Sequence, residues 1–379
     1  MLKIKRFNQK VTKDVILNWS VILLAVTGIL QDSMVFNQCG ILIDILKWIL
    51  LIQNALVFLL QFAEIFTFNN VIKTVTLSLL VMYTCVRTSN YSFLLVCMFL
   101  VISKSITIQE FIKYSLNILK AGIVLHVILW VLNLVLNFGY PVYMGDNDYR
   151  ISFLFTHPNI AAIKFGWGII MYIWLMWEKL ALKDLVKSFV LIILVYIATK
   201  SDSCLIVLFF LIFTGLRKYR NIKKYIIFAS KWCFPILGIL NIYIASVFMK
   251  GTFLSGVLQK INLVFNQRIA MAYLAIHDNG MTLIGQYISM LHNWDDVFHF
   301  GNYTIDSLFI YLYVCIGFIY FVLFSIGFYM LAKYKDYKAA LVVITFSLYA
   351  LIENHCLYLT NCFAILLLKC VIFKEKKIK

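Results

Sequence analysis

Residues 145–159 read GDNDYRISFLFTHPN, a polar and aromatic stretch that separates two long apolar runs of the chain. Pro158 suits the first turn of the helix that follows, because its missing N–H would have no partner there anyway. His157, or Thr156 just before it, then lies at the helix start, where free N–H groups favour an anion. Since Arg150 stands seven residues before His157, the stretch predicts one half of an active site at the start of a spanning helix.

The composition indicates an all-α integral membrane protein. Of the 379 residues, 63% are hydrophobic, whereas about 45–50% is usual in soluble domains. The mean hydropathy is +0.90, and apolar runs that can cross about 30 Å of hydrocarbon recur from end to end. We therefore expect one polytopic transmembrane domain over 1–379. The net charge of +17 would suggest nucleic acid for a soluble protein, but here it is assigned to cytoplasmic loops, with no nucleic-acid partner.

Run length and breaks predict about twelve spans in a helical bundle, and 107–119 predicts an amphipathic helix on the inner surface. The predicted spans are 15–31, 41–61, 71–86, 91–104, 118–137, 158–177, 188–199, 203–216, 225–248, 305–331, 339–352 and 356–372. With a cytoplasmic N-terminus, the inner segments hold 24 Lys and Arg and the outer segments hold six. This asymmetry predicts that both termini are cytoplasmic.

Two outer segments are long, and we expect them to form the active site: 138–157 and the large outer loop 249–304. The second is far longer than a connector needs. Within it, 262–278 has helical character and carries Arg268, and Asn279-Gly280 is a good C-terminal stop.

Positive charge is scarce on the outer side, so Arg150 and Arg268 are the leading catalytic candidates. Arginine stays protonated and binds phosphate oxygens with two N–H groups, so the pair could converge on a diphosphate. The alternative is that each arginine anchors a loop to lipid headgroups. Lys164, about 9 Å along the helix from Pro158, should face a cavity or partner and support the same anionic pocket. Its alternative is snorkelling to the surface.

A sugar hydroxyl that attacks a glycosyl diphosphate benefits from a general base. Asp306 and His299 rank first, because they bracket the point where the large outer loop returns to the membrane. His157 and Asn159 should orient substrate at the first arginine, and Glu353, in a polar outer turn, could line the same cavity. The other outer candidates are His277, His292, Asp295, Asp296 and His355.

No metal and no cofactor are predicted. The nine cysteines show no CxxC, so a disulfide framework or zinc site is not expected. Asp146-Asn147-Asp148 has the DxD form by which nucleotide-sugar transferases hold a divalent metal. Nucleotide sugars are cytoplasmic, however, and this segment is predicted outside, so turn chemistry is the better explanation. The sequence also lacks the phosphate-loop, zinc-protease and dinucleotide motifs.

Residues 150–159, RISFLFTHPN, resemble the Arg-x-x-Gly-x-x-x-x-Pro-Asn signature of the O-antigen polymerase and O-antigen ligase superfamily. Further motifs are similar to those of the family in order and spacing: 198–201 (ATKS), 266–268 (NQR), 283–285 (LIG), 306–309 (DSLF) and Gly317. Three departures stand out. Ser152 or Phe153 occupies the place of the usual Gly, and Tyr287 replaces a second Gly. The histidine that the ligase branch has near Asp306 is missing, which favours a polymerase and leaves the base unassigned.

The resemblance implies a metal-independent glycosyltransferase of the bacterial cytoplasmic membrane that joins lipid-linked glycans on its outer face. Its donor and acceptor would be polyprenyl-diphosphate-linked oligosaccharides, and a flippase and a chain-length regulator of the same pathway would be its partners, beside membrane lipids. We therefore expect a polymerase of capsular, exopolysaccharide or O-antigen repeat units. The alternatives are a flippase for the lipid-linked sugar, a ligase-type transferase, and a non-catalytic scaffold of a polysaccharide assembly complex.

Overall fold

The computed structural model describes residues 2–37, 39–65, 68–142, 149–249, 253–264, 267–288, 304–359, 361–375 and 378. Within these ranges the chain is helical and contains no strand, apart from one isolated antiparallel bridge between Ser33 and Phe155. The helices of the first half are α1 (Leu2–Gln31), α2 (Met34–Asn37), α3 (Gly40–Ile65), α4 (Phe68–Thr88), α5 (Tyr91–Ile102), α6 (Ile108–Leu136), α7 (Pro158–Met176) and α8 (Leu182–Thr199). Those of the second half are α9 (Ser203–Gly215), α10 (Arg220–Val247), α11 (Phe253–Val264), α12 (Arg268–Asn279), α13 (Leu308–Tyr311), α14 (Phe318–Leu331), α15 (Tyr337–Ile352) and α16 (Lys369–Ile372).

Among the described residues, five helical stretches are long and apolar enough to cross a membrane. They are Asp14–Gln31, Gly40–Leu59, Ile108–Leu136, Pro158–Met176 and Arg220–Val247. The remaining helices include shorter apolar ones, such as Tyr91–Ile102 and Tyr337–Ile352. The predicted class is confirmed: this is an all-α membrane protein.

The chain divides into two compact units. The first comprises 1–71, 98–223 and 359–379, and the second comprises 72–97 and 224–358. In the first unit, α7 is the central helix, because it packs against α6, α8 and α9. Its buried face carries Trp167 and Trp174, whose rings both contact Phe363 edge-on.

The core of the second unit is aromatic and centres on Phe234 of α10. The ring of Phe234 packs against four other buried rings, with centroid distances between 5.0 and 5.8 Å: Phe309, Phe321, Phe328 and Phe346. Gly238 lies one turn further along α10, where a Cβ atom would stand 2.3 Å from the Phe321 ring. This close packing joins α10 to α13, α14 and α15.

The structure differs from the sequence prediction in four places. The predicted helix 262–278 is not one helix, because α11 ends at Val264 and α12 begins at Arg268. One helix, α6, replaces the separate surface helix 107–119 and span 118–137. The predicted span 305–331 is broken by a π-helical segment, Leu312–Ile316, and by Gly317 with φ of +127°. The predicted span 356–372 is not one helix, since it comprises the end of the turn Asn354–Leu357 and then the helical stretches Ala364–Leu368 and Lys369–Ile372. The predicted helix stop at Asn279-Gly280 is confirmed, since α12 ends at Asn279 and Gly280 caps it with φ of +67°.

Candidate functional site

The N-terminus of α7 is built as the sequence predicts. Pro158 is its first residue, and His157 is the N-cap with an extended backbone. His157 Nδ1 accepts a hydrogen bond of 3.1 Å from the backbone N–H of Asn159. This bond satisfies one of the N–H groups that a helix start leaves free. The imidazole ring therefore fixes the first turn of α7.

Arg150 joins the start of α7 to the end of α8. Its Nε donates to the Thr199 carbonyl over 2.9 Å, and its Nη2 donates to Asn159 Oδ1 over 2.6 Å. Thr199 is the last residue of α8, so the guanidinium also lies at the negative end of that helix. The predicted proximity of Arg150, His157 and Asn159 is confirmed. Their substrate-binding roles stay predictions, beside a structural role for Arg150 that the sequence did not predict.

The residues between Arg150 and α7 include two with left-handed backbone. Phe153 and Leu154 have φ of +52° and +60°, a region that glycine occupies without strain. Phe153 is one of the two positions where the resembling family has glycine. Its ring packs against Trp130 with centroids 5.4 Å apart, which explains how a large residue is held in a conformation that favours glycine.

Lys164 is buried in the first unit and paired by protein groups. Its side chain is 1% exposed, and Nζ lies 2.7 Å from Asp32 Oδ2. It also donates to Asn361 Oδ1 over 2.6 Å and to the Gly28 carbonyl over 3.3 Å. The prediction that Lys164 faces a partner rather than lipid is confirmed. Because three acceptors match the three N–H donors of an ammonium, a substrate phosphate would have to displace one of them; substrate binding by Lys164 stays a prediction.

Asp32 reaches Lys164 because a short backbone pairing fastens it beside α7. The Thr156 N–H donates to the Asp32 carbonyl, and the Met34 N–H donates to the Leu154 carbonyl, both over 2.9 Å. Sequence reasoning missed Asp32 and Asn361 as partners of Lys164. The one available signal was that Asp32 directly follows the first predicted span.

In the second unit, Arg268 lies between two carboxylates. Its Nε is 3.2 Å from Asp306 Oδ2, and its Nη2 is 3.5 Å from Glu353 Oε1. Arg268 is the first residue of α12, Asp306 precedes α13, and Glu353 is the C-cap of α15. The fold thus brings together three residues that the sequence assigned to the site and that lie up to 85 positions apart.

Hydrogen bonds on either side of Asp306 fasten it to the end of α15. Asn354 Nδ2 donates to the Ile305 carbonyl over 2.6 Å. The Ser307 hydroxyl lies 3.1 Å from the Ala350 carbonyl and 2.9 Å from Asn241 Oδ1. These contacts hold the Asp306 and Glu353 backbones side by side. Asn354 and Ser307 are thus supports of the site, a role that the sequence did not suggest.

The arrangement around Arg268 combines a reachable carboxylate with an oriented cation. The Asp306 side chain is 40% exposed, whereas Glu353 is 7% exposed, so Asp306 is the carboxylate that solvent can reach. Among the described residues, Nη1 of Arg268 has no protein acceptor, which leaves it available to a phosphate oxygen. Two carboxylates and one guanidinium carry no surplus positive charge, however. A diphosphate bound there would need a further cation.

Some predicted residues cannot be placed. His299, His292, Asp295, Asp296 and the 146–148 DxD stretch lie outside the described residues. Within the described ranges no group of His, Cys, Asp and Glu could hold a metal ion. Arg150 and Lys164 belong to the first unit, and Arg268, Asp306 and Glu353 belong to the second.

Comparison with known proteins found no relative of this chain. No protein-family model, no curated protein sequence and no solved structure matches this chain.

Proposed function

We propose that this protein polymerises polyprenyl-diphosphate-linked oligosaccharide repeat units into a capsular, exopolysaccharide or O-antigen polysaccharide. The observation that carries the proposal is the Arg268–Asp306 pair, with Glu353 at Nη2 of the same guanidinium. It combines the two groups that transfer of a sugar from a diphosphate needs, a proton acceptor and an anion donor. Both residues lie in motifs that resemble the polymerase and ligase superfamily.

In this mechanism Asp306 removes the proton from the attacking hydroxyl of the acceptor sugar. Arg268 donates N–H groups to the leaving diphosphate, whose negative charge grows as the glycosidic bond breaks. Glu353 holds the guanidinium through Nη2. We assign Arg150, which Asn159 binds at the start of α7 in the first unit, to the diphosphate of the second lipid carrier. The protein needs no metal in this scheme, because the arginines carry the charge stabilisation.

The proposal includes a topology of about twelve spans with both termini in the cytoplasm of a bacterium. The active site then faces outward from the cytoplasmic membrane, where lipid-linked repeat units are joined. The excess of Lys and Arg in the predicted inner segments supports this orientation. A flippase would deliver the repeat units, and a chain-length regulator would act on the same product.

The test is a glycan-length ladder from cells that lack their own copy of the protein. They are complemented at matched membrane levels with wild type, Arg268→Ala, Asp306→Asn or Arg150→Ala. Loss of a general base costs about 10²–10⁴-fold in rate, so Asp306→Asn should reduce the ladder to single repeat units. Arg268→Ala should do the same through loss of charge stabilisation, at about 10²–10³-fold.

Arg87→Ala is the matched control for the arginine variants, because Arg87 is an exposed residue in the last turn of α4. It is also predicted on the outer side and should leave the ladder unchanged. Normal ladders from both Arg268→Ala and Asp306→Asn would refute the proposed site. Wild-type membranes that never lengthen a lipid-linked repeat would refute the function itself.

A flippase is the second candidate, and the Lys164–Asp32 pair favours it. Ionisable groups within spanning helices often mark the path of an ion or substrate, and Lys164, in α7, is buried beside the partly exposed Asp32. A flippase moves the repeat unit without changing glycan length. Cells without the protein would then have no lipid-linked repeat on the outer face, whereas cells without a polymerase would accumulate single units there.

A further inference from the structure

The break between α13 and α14 leaves helical backbone groups without their usual partners. In a continuous helix, the carbonyls of residues 313, 314 and 315 would bond to the N–H groups of residues 317, 318 and 319. The π-helical segment and Gly317 prevent this, because the Gly317 N–H donates instead to the Leu312 carbonyl over 2.8 Å. Of these six groups, three carbonyls and two N–H groups are thereby released. In an apolar setting such groups must be satisfied elsewhere.

The extended segment after α12, Met281–Ile288, satisfies all five groups. The Thr282 N–H donates to the Tyr313 carbonyl over 3.1 Å, and the Thr282 carbonyl accepts from the Phe318 N–H over 2.8 Å. The Leu283 carbonyl accepts from Ile319 over 3.2 Å. The remaining carbonyls, of residues 314 and 315, both accept from one residue, Gln286. The segment therefore replaces the helical hydrogen bonds that the break removes.

Two glycines make this close approach possible. A Cβ at Gly317 would stand 2.6 Å from the Leu283 carbonyl oxygen, and a Cβ at Gly285 would stand 2.9 Å from the Ile316 carbonyl oxygen. Both have positive φ, +127° and +118°. The backbones of the segment and the break are thus in direct contact. Both glycines belong to motifs that the proposed mechanism does not use.

Gln286 links this pairing to the helix that carries Arg268. Its Nε2 donates to the Val314 carbonyl over 2.9 Å and to the carbonyl of Asn279, the last residue of α12, over 3.1 Å. Its backbone N–H donates to Cys315 over 2.9 Å. One side chain therefore ties the C-terminus of α12 to the break that follows α13. Arg268 begins α12 and Asp306 directly precedes the α13 region, so the tie sets where these two helices stand relative to each other.

We infer that Gln286 is a positioning residue for the Arg268–Asp306 pair, an inference that rests on the proposed function for its catalytic consequence. Gln286 contacts neither residue. It acts by fixing the position of α12 relative to the break between α13 and α14. A misplacement of about 1 Å between reacting groups can cost about 10²-fold in rate. Loss of the two side-chain hydrogen bonds should therefore slow chain lengthening while the helices remain folded.

The test compares Gln286→Met with Gln286→Lys. Met matches Gln in length but cannot donate a hydrogen bond, whereas Lys keeps donors for both carbonyls. We expect Gln286→Met to slow lengthening about tenfold and Gln286→Lys to restore most of the rate. In the Arg268→Ala background, Gln286→Met should cause no further loss, because a positioning residue acts through the group that it positions. Tyr287→Ala, at an exposed neighbour, is the control and should keep the wild-type rate.

Hydrogen–deuterium exchange of the full chain in detergent separates this inference from the proposed function. Peptides that cover 281–288 and 312–320 should exchange about tenfold faster in Gln286→Met than in wild type or Gln286→Lys, because two partly buried carbonyls lose their donors. This result is expected even if the protein lengthens no glycan. Protection equal to wild type in Gln286→Met, or activity kept by Met and lost by Lys, would overturn the inference.

Discussion

At the scale of single residues, the ring of His157 has a defined structural task before any chemical one. Its Nδ1 accepts the Asn159 N–H, and Asn is as good an N-cap as Asp or Ser. We expect His157→Asn to keep the unfolding free energy and most of the lengthening rate. His157→Ala should lose about 1 kcal/mol of stability. Thermal unfolding of purified protein, read beside the glycan ladder, checks both.

The contrary result for His157 is equally informative. If His157→Asn unfolds like wild type but makes no polymer, the imidazole has a direct role with substrate. Its position as the cap would then be incidental to its function.

Lys164 permits a sharper test, because its partners are known. Removing one member of a buried ion pair leaves an uncompensated charge and costs about 3–5 kcal/mol. We therefore expect Lys164→Met to lower the unfolding temperature strongly. The double variant Lys164→Met with Asp32→Asn should recover much of the loss, because no buried charge remains. The measurement is a double-mutant cycle by thermal unfolding in detergent.

Equal stability of wild type and Lys164→Met would show that the ion pair contributes little to the fold. A loss of activity without a loss of stability would instead favour the predicted substrate role of Lys164.

These residues show what a sequence can predict about a site. Lys164 lies deep in an apolar run, so a partner for its charge could be predicted. The residues around Lys164 did not identify Asp32 as that partner, because Asp32 lies 132 positions away. Arg268, Asp306 and Glu353 were each selected for their place in predicted outer segments. Their ion pairs depend on the packing of three helices, which residue patterns alone do not determine.

At the scale of elements, the pairing of Met281–Ile288 with the break around Gly317 leaves little room for a side chain at position 317. Gly317 has φ of +127°, and Gly317→Ala places a Cβ 2.6 Å from the Leu283 carbonyl oxygen. The atoms nearest to this Cβ are backbone atoms, which cannot move aside as the end of a flexible side chain can. We expect a loss of more than about 2 kcal/mol from backbone strain and displaced hydrogen bonds. Thermal unfolding and exchange at 281–288 report it.

Gly256→Ala is the matched control within the same unit. Gly256 lies inside α11, with open space around the position of a Cβ, so Ala should be neutral or should stabilise by about 0.5–1 kcal/mol. Equal unfolding temperatures for Gly317→Ala and Gly256→Ala would mean that the pairing at the break accommodates a Cβ at little cost in stability.

The helices themselves follow from apolar run length, and the predicted starts of α7, α9 and the stop of α12 agree with the structure within a residue or two. The break at Gly317 could not be predicted in the same way. The break lies inside a continuous apolar run. The helical hydrogen bonds that it removes are replaced by bonds to the segment Met281–Ile288, about 30 residues away. The hydrophobic pattern indicates which side chains are buried. It does not indicate whether a backbone hydrogen bond forms within a helix or with a distant segment.

At the scale of the whole molecule, the distribution of charge predicts which side each segment faces, and a native residue can test it. Cys39, between α2 and α3, is the exposed free cysteine among those that the structure describes, and the predicted topology places it outside. A membrane-impermeant maleimide should label wild type in spheroplasts and should not label Cys39→Ser. In the Cys39→Ser background, His277→Cys on α12 should be labelled from outside. Lys183→Cys, at the start of α8, should be labelled only after the membrane is permeabilised.

The labelling pattern bears directly on the chemistry, because α12 carries both position 277 and Arg268. In the proposed function a lipid-linked repeat unit is joined outside, so the Arg268–Asp306 pair can act on it only if α12 faces that side. The reverse pattern, with position 183 labelled in spheroplasts and positions 39 and 277 protected, would turn the site towards the cytoplasm. Polymerisation at the outer face would then be excluded for this pair of residues, whatever the glycan ladder showed.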